Sequence, residues 1–90
     1  MAYIIKTTGE VIETQPANGT DFSLEELQTI VGGYIEVVSL HDGRLIVCDE
    51  QGKQKSKDIN HTATDLFRLT LLTNDFLVGD ILVCREEQIK

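Results

Sequence analysis

FSLEELQTIVGGYIEVVSL, residues 22–40, lays a capped helix, a glycine stop and a strand end to end. Ser23 and Glu26 have the spacing of a capping box, in which the serine hydroxyl accepts from the backbone N–H three residues on and the glutamate carboxylate reaches back to the serine N–H. Phe22 and Leu27 stand at the positions of the hydrophobic staple, and Glu25 and Glu26 put negative charge at the positive end of the helix dipole. Leu24, Leu27, Ile30 and Val31 recur at helical spacing and predict one apolar stripe. Gly32-Gly33 ends the helix, because glycine readily takes the left-handed conformation that closes the last turn. Beyond it YIEVVSL, residues 34–40, is β-branched and aromatic and predicts a strand.

Working outward, His41-Asp42-Gly43 supplies a tight turn from that strand into RLIVC, residues 44–48, and so predicts a hairpin. On the N-terminal side AYIIK, the Thr8-Gly9 turn and EVIET predict another hairpin over residues 2–15, separated from the helix by the loop QPANGT. On the C-terminal side DEQGK is a turn, and residues 54–59 read either as a short strand or as a loop. Asn60 can cap a second helix over residues 61–72, with Ala63, Leu66, Phe67 and Leu71 on one face, widened by Leu69 and Leu72. FLVGDILVC then predicts a strand with a bulge or turn at Gly79-Asp80, and the charged tail REEQIK is expected to fray. The order β-β-α-β-β-(β)-α-β predicts an α+β fold. Its simplest form is a mainly antiparallel sheet of five or six strands carrying two helices, in one domain spanning residues 1–90.

Composition excludes more than it selects. The chain of 90 residues is 41% hydrophobic and 26% charged, with a formal net charge of −7. That charge opposes direct nucleic-acid binding, which depends on Lys and Arg displacing counterions from phosphates. It leaves two readings: a solubility margin, or an acidic face offered to a basic partner. Nothing approaches the length of an apolar membrane span, and residues 1–5 are too short for a signal peptide, so a cytoplasmic location is expected. A core this small stabilises weakly, which favours a homo-oligomer, dimer or higher.

No motif of catalytic strength is present. His41, Cys48, His61 and Cys84 supply zinc-ligand types but lack the close-pair spacing of structural zinc sites, so no metal is expected. Cys48 and Cys84 each end an apolar run, which is the pattern of buried thiols rather than nucleophiles; a disulfide would need their strands to be neighbours. P-loop glycines precede a helix, whereas Gly32-Gly33 follows one. Four residues remain as candidate binding groups. Tyr34 could stack on a ring, and Glu36 lies mid-strand with its side chain opposite those of Ile35 and Val37. Asn60 and His61 gather polar groups at a helix N-terminus, where free N–H groups can hold an anion.

Through FSLEELQTIVGGYIEVV, LIVCDEQGK, NHTATDL and VGDILVC the chain resembles a family of small proteins from bacteriophages and from bacteria carrying mobile elements, known only as a domain of unknown function. The likeness spans residues 10–84 and includes Leu27, Gly32, Gly33, Tyr34, Ile35, Glu36, Glu50, Gly52, Asn60, Ala63, Gly79 and Asp80. The chain departs from it at KQKSKD, residues 53–58, where the resemblance implies a more apolar segment. It implies a phage or mobile-element setting and no activity. The expectation is a non-enzymatic binding protein without cofactor, whose partner is a host protein or small molecule. The alternatives are an acidic inhibitor or regulator of a host factor, or sequestration of a nucleotide-like host defence signal.

Overall fold

The computed structural model describes residues 2–68 and 76–89. Five strands, β1 (Ala2–Ile5), β2 (Val11–Thr14), β3 (Ile35–Ser39), β4 (Arg44–Asp49) and β5 (Ile81–Arg85), form one sheet in the order β2-β1-β5-β4-β3. All neighbours are antiparallel. The helices α1 (Leu24–Val31) and α2 (His61–Leu66) complete an α+β fold in the order β-β-α-β-β-α-β.

The helices cover opposite faces of the sheet. Side chains alternate along each strand, so neighbours in β4 and β5 serve different cores. Leu27 and Val31 of α1 pack with Phe22, Val47, Leu82 and Cys84 on one face, while Ala63 of α2 packs with Ile5, Ile46, Cys48, Ile81 and Val83 on the other. The central strand β5 is therefore buried on both sides, which is why ILVC is apolar without interruption. Because Cys48 and Cys84 lie on opposite faces of neighbouring strands, both are free thiols and the disulfide considered from sequence does not form.

The first helix follows its sequence closely. The Glu26 N–H donates to Ser23 Oγ at 3.1 Å and the Ser23 N–H donates to Glu26 Oε1 at 2.9 Å, closing the capping box. The N–H of Ser23, with a further N–H from Ala17, holds the Glu26 carboxyl below its ordinary range. Gly32 closes the last turn at φ +80°. The turn into β4 likewise uses the left-handed region, at His41 (φ 63°) and Gly43 (φ 90°).

Three expectations, on Leu24, Leu66 and the tail, are corrected, and two that stood between alternatives, at residues 54–59 and at Gly79-Asp80, are decided. Leu24 is 59% exposed rather than part of the stripe, because Phe22 and Ile89 occupy the core at that end of the helix. Leu66 is exposed, since Ala63 and Phe67, four residues apart, carry the inward face of the short α2. Residues 54–58 form a loop, and Ile59 makes a single bridge to Val78 in place of a sixth strand. Gly79, at φ +72°, turns the chain so that β5 begins only at Ile81. The tail is tied down: residues Glu86–Gln88 form a short 3-10 helix, the Phe22 N–H donates to Gln88 O at 2.7 Å, and Ile89 pairs in parallel with Phe22. The second helix ends at Leu66, and the expected contributions of Leu69, Leu71 and Leu72 lie outside the described residues.

Candidate functional site

Strand β4 ends in a charge. Asp49 follows Leu45 and Val47 on the α1 face and stands opposite Ile35 in register, so its side chain is directed beneath the C-terminal end of α1 and is 1% exposed. A buried carboxylate needs partners. They come from the loop that follows, in which the N–H groups of Gly52, Lys55 and Lys57 bond to the carbonyls of Asp49, Gln51 and Gly52 and fold residues 49–57 back on themselves. That fold brings Lys55 Nζ to 3.0 Å and Lys57 Nζ to 2.7 Å from Asp49 Oδ2, while the Gln51 N–H donates to Oδ1 at 2.9 Å. Burial pushes the Asp49 carboxyl up, but the bonds from Lys57, the Gln51 N–H and Lys55 outweigh it and hold the group at about 2. Lys57 also donates to the carbonyl of Val31 at 2.6 Å, placing a cation at the negative end of α1.

Four glycines make this cluster possible, two of them by the space they leave. A Cβ on Gly33 would lie 2.5 Å from Lys55 Nζ and 2.8 Å and 2.9 Å from the Asp49 oxygens. One on Gly52 would lie 2.5 Å from Val78 Cγ2 and 3.3 Å from the carbonyl oxygen of Asp49. Gly32 and Gly79 also border Lys57. The pair Gly32-Gly33 thus divides its labour, the first closing the helix and the second clearing room for an ion cluster. Neither Asp49 nor the two lysines stood out in the sequence, where Lys55 and Lys57 belong to the KQKSKD departure.

Among the described residues, two grooves border the cluster. One, of about 550 Å³, passes Lys57 and is lined among others by Thr29, Ser56, Asp58 and Asp80, so the ammonium there is balanced by carboxylates. Asp80 also accepts the Thr7 N–H at 3.0 Å. The other, of about 210 Å³, is lined by Gln28, Gly33, Tyr34, Gln51 and Lys55, which include an ammonium and no carboxylate.

The four candidate residues are not gathered in one place. Tyr34 is 66% exposed and lines the smaller groove. Glu36 pairs with Cys48 across β3 and β4 on the α2 face, opposite the face of Ile35, with its Oε1 3.9 Å from the thiol sulfur. Asn60 is fully buried; its amide donates to the carbonyls of Ile5 at 2.8 Å and Gly79 at 2.9 Å, and its oxygen accepts the Ala63 N–H at 3.0 Å. His61 is exposed as the first residue of α2.

The thiols are poorly disposed to attack. Burial pushes Cys48 up to about 11, reinforced by the charges of Glu36 and Asp49, and burial likewise pushes Cys84 up to about 11. Against the ordinary value of 9.0, that shift cuts the thiolate fraction on the order of 100-fold at neutral pH. Labelling of the folded protein by a disulfide reagent is expected to be slower than labelling in denaturant by at least that factor. Equal rates would contradict the burial. Among the described residues, no group of three or more His, Cys, Asp and Glu is placed to hold a metal ion.

The family model described as a domain of unknown function, DUF3846, matches residues 1–89. The chain belongs to this family. No curated protein and no solved structure gives a significant match to it. The membership covers nearly the whole chain and assigns no activity, so the chemistry of the site carries the functional argument.

Proposed function

We propose that this member of the DUF3846 family is a non-enzymatic binding protein, and that it binds a small anionic molecule in the groove between Tyr34 and Lys55. The observation that carries this reading is the ratio of charges. Lys55 and Lys57 share the single carboxylate of Asp49, so the Lys55 ammonium, 38% exposed, keeps unneutralised charge towards a groove without acidic lining. In a chain of net charge −7 that local reversal is a specific attraction for an anion. Binding is favoured over catalysis because the two thiols are pushed up by burial and Asp49, held at about 2, lies far from the range useful for proton transfer at neutral pH.

The phage or mobile-element setting, the cytoplasmic location and the homo-oligomer belong to this proposal. Self-association is supported by the sheet ending, among the described residues, in β2 and β3, whose outer edges offer backbone groups to a second strand, and by the exposure of Val11 on β2. The groove is tested by amide chemical-shift mapping with inorganic phosphate and citrate at low ionic strength. Shifts concentrated at residues 28, 33, 51 and 55, abolished by Lys55→Gln, are expected; shifts spread over the surface, or none, would overturn it.

A further inference from the structure

Resting on that reading of the groove, we infer that the preferred anion carries a planar heteroaromatic ring, of which a nucleoside monophosphate is the simplest representative. Three features of the lining select it. Tyr34 presents a phenol that is 66% exposed at the start of β3, and no core requirement accounts for an aromatic ring there. An exposed ring face is a stacking surface for another ring, and stacking tolerates any base because each has a π-face. Gln28 and Gln51 also line the groove, and a glutamine amide offers two donors and one acceptor oxygen, which is the complement of a heterocycle edge rather than of a bare anion. Lys55 supplies the charge, fixed in place by the buried Asp49 carboxylate at 3.0 Å.

Size supports the same ligand. Sites for drug-sized molecules run from roughly 300 to 1,000 Å³. At about 210 Å³ this groove is smaller, and it suits one ring system with the charged group left at the mouth beside the ammonium. The rigidity of the surroundings matters too. The Tyr34 carbonyl accepts the Glu50 N–H at 2.9 Å, the Gln51 N–H is held on Asp49, and the Lys55 N–H is held on the Gln51 carbonyl at 2.9 Å. The backbone on both sides of the groove is therefore held by hydrogen bonds, of which the Gln51 N–H reaches the Asp49 carboxylate itself, so its lining is set before a ligand arrives.

The experiment titrates the intact protein with adenosine 5′-monophosphate, uridine 5′-monophosphate, adenosine and inorganic phosphate, followed by amide shifts and calorimetry. Both monophosphates are expected to bind at least about tenfold more tightly than phosphate, and adenosine more weakly than its monophosphate. Tyr34→Ala is expected to weaken the monophosphates roughly tenfold and phosphate by much less, as removal of one stacking partner does. Tyr34→Phe should retain them. Because Tyr34 is exposed, these variants leave the core intact, and their unfolding midpoints verify this. Phosphate binding as tightly as the monophosphates, or indifference to Tyr34→Ala, would overturn the ring preference while leaving the anion groove standing. No shift at residues 28, 33, 51 and 55 with any probe would overturn both.

Discussion

Asn60→Ala is expected to cost about 3–5 kcal/mol of stability, a large part of what a domain of this size possesses. The side chain is fully buried and its three bonds reach three elements. Its oxygen caps α2 at the Ala63 N–H, and its amide joins the end of β1, at Ile5, to the Gly79 turn before β5. Truncation strands two buried carbonyls and one N–H, each leaving a desolvated polar group at about 1–3 kcal/mol where water does not replace the partner. Asn60→Asp separates this role from simple capping. A carboxylate caps as well as an amide, so at an ordinary N-cap the change is nearly neutral. Here it turns an acceptor onto the carbonyls of Ile5 and Gly79, and it is expected to destabilise by a similar amount at neutral pH and less in acid, where a protonated carboxyl donates. Denaturant midpoints of the two variants at neutral and acidic pH decide the matter; a neutral Asn60→Asp would reduce Asn60 to a cap.

The contrast between what could and could not be read in the sequence follows from how local each interaction is. The capping box of Ser23 and Glu26, the left-handed Gly32 and the turn at residues 41–43 are settled within a few residues, and periodicity exposes them directly. The unbroken run ILVC was legible as buried strand because both faces of β5 are covered. Asn60 was half legible: its cap is local, while its two donor bonds span 55 and 19 residues and depend on the strand order. Leu24 and Leu66 misled because a helical stripe marks a face but not how far along it the sheet extends. Asp49 was hardest. It ended an apolar strand beside a polar turn, and only the pairing of β3 with β4 and the folding back of residues 49–57 set it under α1 with two lysines. Of the four candidate binding residues, Tyr34 alone lines the charged groove; Gln28 and Gly33 precede it in the same stretch, while Gln51 and Lys55 reach it from the loop after β4, which no motif connected to it.

Removing the Asp49 carboxylate tests whether this charge cluster supports the groove. Asp49→Ala leaves Lys57, which is 25% exposed, facing the helix end without its counter-ion and strands the Gln51 N–H. Breaking a fully buried pair costs about 3–5 kcal/mol. Since both lysines can partly turn to water, about 2–4 kcal/mol is the expected loss here. Asp49→Asn keeps an acceptor for the Gln51 N–H and should fall between the alanine variant and the wild type. The same carboxylate imposes a pH dependence of definite sign. Its value is lowered from 3.8 to about 2 in the folded chain, so its contribution, about 2 kcal/mol, is complete above pH ~4 and is lost as pH falls through ~2. Wild-type stability should therefore decline across that interval more steeply than that of Asp49→Asn, in which this component is missing. Parallel acid profiles for the two proteins would show that the carboxylate is not held by its lysines. If the profiles diverge as expected, Asp49→Asn should also leave Lys55 and Lys57 without their shared counter-charge and tighten phosphate binding in the groove, even though Asp49 is not among the residues that line it.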